Sequence, residues 1–79
     1  MNWRDRISID PRIHHGKPCI KGTRVPVSVI VGSIADGDTR EQIIRSWPQL
    51  TAEDIIAALK FAAKAASRAD VAALQSDAE

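Results

Sequence analysis

Between Gly16 and Val27 the chain places two glycines, two prolines and three cations within twelve residues, a mixture that no regular core element accommodates. Proline removes a backbone donor and fixes φ, and glycine gives up side-chain packing at a cost in chain entropy. The stretch therefore reads as a shaped surface element, with strands only at its margins. Upstream of it, Ile7 and Ile9 alternate with Arg6, Ser8 and Asp10, the period-two pattern of a half-buried strand that Pro11 ends or confines to an edge. Cys19 to Val25 reads as the returning strand, with Gly16 in the connection and Gly22 at a bulge or bend, so residues 1–25 form an irregular β-hairpin arm. Two strands are unstable by themselves, and this arm must pack on helices or on a second copy.

Residues 26–74 read as a helical module. Val25, Val27, Val29 and Val31 alternate, yet Val27, Ile30, Val31 and Ile34 also form a helical stripe. Pro26 at a first helical position and Asp36-Gly37 at a carboxyl cap decide for helix. Thr39 with Gln42 is a capping-box pair opening a short second helix, whose apolar face is Ile43, Ile44 and Trp47 and which Pro48 stops. After a four-residue connection, Trp47 to Leu50, Thr51 caps a third helix with Asp54 at its third position, and Leu50 and Ile55 flank the cap as a hydrophobic staple.

Ten of the twenty-three residues from Ala52 to Leu74 are alanine, with no Pro or Gly, so this helix extends up to about 35 Å at 1.5 Å per residue. Ile55, Leu59, Ala62, Ala63 and Ala66 make one stripe that Ile56 and Phe61 broaden, and small residues let a second backbone approach closely. Residues 75–79 are expected to fray. The expected fold is a single, mainly α domain over residues 1–79: a three-helix, helix-turn-helix-like (homeodomain-like) module with a short amino-terminal β-hairpin.

A domain this small buries only about 60% of its unfolded surface, so a homodimer is expected. No run of about 18 apolar residues and no cleavable leader is present, which points to a cytoplasmic protein without a membrane span. The lone Cys19 has no internal disulfide partner and reads as a half-buried packing thiol. The net charge of +1 hides an asymmetry: six cations stand against Asp5 and Asp10 in residues 1–24, and three against five acids in residues 51–79. A basic first third and an acidic tail suit an anionic partner or head-to-tail complementarity between chains, as well as simple solubility.

Helix-turn-helix outlines are common, and Ala52, Glu53 and Asp54 at the start of the third helix bring carboxylates that repel phosphate. The candidate phosphate contacts are instead Arg4, Arg6, Arg12, Lys17, Lys21 and Arg24, a set that a dimer doubles to twelve. Candidate partner or dimer contacts are Trp3, Ile55, Leu59, Ala62, Ala66, Val71 and Leu74. Lys60, Lys64 and Arg68 make a basic stripe with no interleaved aromatic and read as a solvated face. His14 and His15 lack further ligands at a metal-site spacing, and no paired carboxylates or Gly-rich phosphate loop are visible, so neither metal, cofactor nor enzymatic chemistry is expected.

Ile9-Asp10-Pro11, Gly16-Lys17-Pro18, Ile20, Gly22-Thr23-Arg24-Val25-Pro26-Val27, Trp47-Pro48-Gln49-Leu50-Thr51 and Asp54-Ile55 follow one another in an order that resembles the bacterial domain-of-unknown-function 433 family, from about Ile7 to Ala66. The chain departs from that pattern at His15, where the family usually has glycine; if that glycine needs positive φ, His15 must tolerate it. The resemblance implies a helix-turn-helix-like antitoxin of a bacterial toxin-antitoxin pair, encoded with a PIN-like ribonuclease toxin and able to bind operator DNA. The alternative is a protein-interaction or dimerisation module that binds no nucleic acid.

Overall fold

The computed structural model describes residues 2–76, with side chains through Ser67. A 3-10 turn, Trp3–Arg6, leads into strand β1, Ile7–Ser8; a second 3-10 turn, His14–Gly16, precedes β2, Cys19–Ile20. Helices α1, Val27–Ala35, α2, Arg40–Ser46, and α3, Ala52–Ser76, complete the chain.

The hairpin is antiparallel, pairing Ile7 with Ile20 and Ser8 with Cys19. It is much shorter than the sequence suggests, because the chain turns immediately after Ile20. The Thr23 N–H and hydroxyl both donate to the Ile20 carbonyl, at 3.0 and 2.8 Å, and the Ile20 N–H donates to the Val25 carbonyl at 3.0 Å. Gly22 supplies the positive φ, +80°, that this turn requires at its third residue. In the connection, His14, His15 and Gly16 all lie in the left-handed region, with φ of 48°, 57° and 87°. His15, where the resemblance implies glycine, thus lies at positive φ.

Helix boundaries follow local chemistry. Pro26 is the residue before α1 rather than its first residue, and the helix ends in a full Schellman motif: Gly37 N–H donates to the Ile34 carbonyl and Asp38 N–H to the Ser33 carbonyl, both at 3.0 Å. Thr39 and Gln42 make both bonds of the expected capping box on α2. Thr51 and Asp54 make the corresponding pair on α3, at 2.9 and 3.2 Å.

The core gathers Ile20 from the hairpin, Val27 and Ile30 from α1, Ile43 from α2, and Ile55 and Ala58 from α3, all buried. Fully buried Ala57 and Ala58 keep the inner face of α3 low beside Ile55, so neighbours pack close to its backbone there. Cys19 is fully buried rather than half-buried, and its thiol donates to the Lys17 carbonyl. Among the described residues no helix is long and apolar enough to cross a membrane.

Candidate functional site

The amino terminus of α3 is where a helix-turn-helix domain of this outline would approach DNA, and here Arg6 of the hairpin arm is bonded to the carboxylates of its first turn. Asp54, 7% exposed, accepts the Thr51 N–H through Oδ2 and the Arg6 guanidinium through Oδ1, the latter at 2.9 Å. The second Arg6 nitrogen bonds Glu53. Both carboxylates sit in the first turn, where the exposed N–H groups of the helix favour negative charge. Arg6, a candidate phosphate contact, is therefore bound to acids of its own chain, and its own carbonyl accepts the Lys21 N–H at 2.8 Å.

The other candidate cations have separate surroundings. Arg4 lies over the Trp3 ring, 4.5 Å from its centroid. Arg12 forks onto both carboxylate oxygens of Asp10 at 3.1 Å. That guanidinium, followed by the Arg12 backbone N–H, holds the Asp10 carboxyl below its ordinary value. Lys17, Lys21 and Arg24 are exposed and make no ion pair among the described residues. Lys21 opens on a polar cleft with Asn2, Asp5, Arg6 and Asp54, whereas Lys17 rims a different, apolar groove. The Arg24 carbonyl lies 2.9 Å from His14 Nε2, which must carry the proton, because a carbonyl oxygen only accepts. Among the described residues no group of His, Cys, Asp and Glu is placed to hold a metal ion.

That apolar groove, about 430 Å³, lies between α1 and α3, with Pro18, Val27 and Val31 on one wall and Phe61, Ala62 and Ala65 on the other. It exists because α3 outruns its neighbours. Ile55, Ala57 and Ala58 are buried, Leu59, Phe61 and Ala62 half-buried, and Ala63 to Ser67 exposed. Of the candidate partner contacts, Ile55 is fully buried in the chain's own core, Leu59 and Ala62 pack against that core, and Ala66 is the exposed one among those whose side chains are described. Trp3 packs edge-to-face on Phe61 at 6.1 Å. The Val71 and Leu74 side chains lie outside the described residues. Of the groove walls, sequence reasoning named Ala62 as a partner contact and missed Pro18, Val27, Val31, Phe61 and Ala65 as such; Val27 and Val31, four residues apart, carry a signal that reads equally as core.

A family model described as "Protein of unknown function (DUF433)" matches residues 7–62, most of the chain. The chain belongs to the DUF433 family. It is 40% identical over 52 residues to "Uncharacterized protein y4eO" of Sinorhizobium fredii, an alignment covering 66% of this chain and 24% of that protein. The fold is similar to the crystal structure of a DUF433 member from Anabaena variabilis, with a TM-score of 0.76 at 30% identity over 85% of this chain and 66% of the other. The chain thus spans about a quarter of the curated relative's length, and y4eO carries much additional sequence. In DUF433 terms, the matched span includes the hairpin, α1, α2 and the packed half of α3, and stops where α3 leaves the core.

Proposed function

We propose that this DUF433 chain is a non-enzymatic, cytoplasmic antitoxin that binds a PIN-like ribonuclease and blocks its active site. The observation that carries this reading is the apolar groove of Pro18, Val27, Val31, Phe61, Ala62 and Ala65, continued by the exposed face of α3. A groove of this kind beside an unsupported helix is a surface for a protein, since small walls admit a partner's backbone and Phe61 offers aromatic area. The nuclease identity of the partner comes from the family resemblance.

Operator binding is a second, separable reading, favoured by Lys17, Lys21 and Arg24, which are exposed and without an acidic partner among the described residues. It runs through the hairpin arm and not through the start of α3, where Glu53 and Asp54 hold Arg6.

The experiment is affinity purification of the tagged chain from its native cells at gentle salt, with mass spectrometry of what co-purifies. A small nuclease-like protein in near-stoichiometric amount, lost with Val31→Arg and inhibited by the wild-type chain, is the expected result. Recovery of the chain alone removes the antitoxin reading in favour of the module that binds no nucleic acid. For operator binding, affinity should fall with salt at a logarithmic slope of about −0.9 per phosphate contacted and vanish on charge reversal at Lys21 and Arg24; no DNA binding at any salt rejects it.

A further inference from the structure

The α1–α3 groove adjoins a second hollow, between the amino-terminal 3-10 turn and α3. Phe61 and Ala65 line both; Trp3, Arg4 and Lys64 complete the second, about 270 Å³, and a smaller recess beside it adds Ile7 and Ile9. Together they make one mainly apolar surface across the middle of α3, and its charge has a single sign. Lys17 stands in the groove, Arg4 and Lys64 in the second hollow, and no acid is among the residues that line any of the three. None of these cations makes an ion pair among the described residues. The acids nearest in sequence are engaged elsewhere: Asp5 lines the polar cleft with Lys21, and Asp10 is held by Arg12.

The backbone around the groove decides the form of its occupant. The walls are helical, with Val27 and Val31 one turn apart on α1 and Phe61 and Ala65 one turn apart on α3, so their N–H and C=O groups are spent within their own helices. Pro18 has no N–H, and its carbonyl accepts the Val27 N–H at 2.9 Å. An extended peptide in the groove would find no strand edge to pair with, whereas a helix arrives with its backbone already satisfied and needs only an apolar stripe. Ala62 and Ala65 are small enough to let that helix come close. Trp3 is engaged by the Arg4 guanidinium over its ring and by Phe61 at a near right angle, so it is poorly placed to stack a nucleic-acid base and has little freedom left to lose when a protein binds.

On the reading of the groove as the toxin-docking surface, on which this rests, we infer that the partner's docking element is an acidic amphipathic helix laid across Phe61 and Ala65. Its apolar residues, recurring at intervals of three and four, fill the groove and the hollow beside Trp3. Aspartates or glutamates along both margins of that stripe face Lys17 on one side and Arg4 and Lys64 on the other. The chain's own described helices do not supply such an occupant. α1 carries no acid, α2 has Glu41 between Arg40 and Arg45, and the acids of α3 through Ser67 are Glu53 and Asp54, both bound to Arg6.

The probe is a synthetic helical peptide with leucines at intervals of three and four and glutamates on both margins of the leucine stripe, titrated calorimetrically into the purified chain. Circular dichroism establishes the folding of every variant. Binding is expected at about 10 μM, weakening as salt rises, and at least about tenfold weaker for a peptide with lysines in place of the glutamates. Ala65→Glu, and separately Arg4→Glu with Lys64→Glu, should each weaken the acidic peptide by about tenfold or more, and the double reversal should shift preference towards the lysine peptide. Equal binding of a scrambled peptide of the same composition overturns the inference, as does an acidic peptide that binds no better than the lysine one, or not at all at about 1 mM. So does displacement of the peptide by a single-stranded oligonucleotide, or a homodimer that Ala65→Glu breaks. Should the double reversal not fold, Ala65→Glu, on the exposed face of α3, decides together with the salt dependence. The nuclease recovered from native cells distinguishes this from the antitoxin reading. A complex that survives Ala65→Glu and the reversals overturns the acidic helix and leaves the antitoxin, whereas peptide binding with no nuclease recovered supports the acidic helix and removes the antitoxin.

Discussion

Arg6 and Asp54, forty-eight positions apart, are joined by a 2.9 Å charged hydrogen bond that ties the hairpin arm to the first turn of α3. Asp54 already accepts the Thr51 N–H through its other oxygen, so one nearly buried carboxylate serves a helix cap and a tertiary contact together. Glu53 shares the guanidinium. The arm is thereby placed over α3 by charge as well as by Ile7 and Ile20, and the two carboxylates of the helix start are held by the chain's own Arg6.

Removing either partner should weaken the fold by more than a surface ion pair would. Asp54→Ala loses the cap and the charged bond, for about 2–3 kcal/mol. Arg6→Ala leaves a nearly buried carboxylate without its charged hydrogen-bond partner and should cost about 2 kcal/mol. Urea unfolding of both single variants and the double variant measures the coupling, expected at about 1–2 kcal/mol. Strict additivity would show that the two residues act independently.

His15 and Gly22 provide opposite backbone tests. A non-glycine residue in the left-handed region carries roughly 1–2 kcal/mol of strain, and His15 sits there at φ 57°. His15→Gly should therefore stabilise the protein by about 0.5–1 kcal/mol after the added unfolded-state entropy, raising Tm by about 4 °C in a domain of this size. At Gly22, φ +80°, a Cβ would meet nothing within 4 Å, so Gly22→Ala should cost about 1 kcal/mol through conformation alone. Thermal melts of the two variants should move in opposite directions.

What the sequence revealed was mostly what is local. Thr39 with Gln42, Thr51 with Asp54, and the Asp36-Gly37 stop were legible because each rests on residues within three or four positions, and each forms as read. The strands were overestimated, because alternation at Ile7 and Ile9 and at Cys19 to Val25 says nothing of the Ile20–Thr23 turn that cuts the second strand short. The apolar stripe of α3 was legible, but not where along it the core ends. Ile55 and Ala66 share a pattern, while packing against α1 buries the first and leaves the second exposed. Arg6 with Asp54, and Trp3 with Phe61, join distant segments, and a count of cations or aromatics cannot pair them.

Asp10 offers a pH signature. Its carboxyl is held low chiefly by the Arg12 side chain and then by the Arg12 N–H, so the folded state binds its proton less readily than the unfolded chain does. The stabilisation is present above the ordinary aspartate value of about 3.9 and is lost as pH falls through the lower folded value. The Arg12 side chain is 89% exposed, so the effect on stability is small and fades with salt. In Arg12→Ala, an NMR titration of the Asp10 side-chain carbon should shift upward towards the ordinary value. An unmoved titration would assign the depression to the backbone N–H instead.

The inner and outer halves of α3 should answer very differently to the same added bulk. Ala58 is fully buried where α1 and the hairpin close on the helix, and Ala63, five residues on, is exposed. Leucine at position 58 adds three methylene-sized groups where no space is left, forcing neighbours such as Ile30 or Ile55 from their rotamers at about 1–3 kcal/mol. Leucine at 63 enters solvent on a helix it suits equally well, and should change stability by less than about 0.5 kcal/mol. Urea midpoints of Ala58→Leu and Ala63→Leu check this directly. Because the two alanines share one helix and differ little in propensity, equal losses would mean that the closely packed part of α3 continues past Ala62, and that its outer half is supported by something other than its own core.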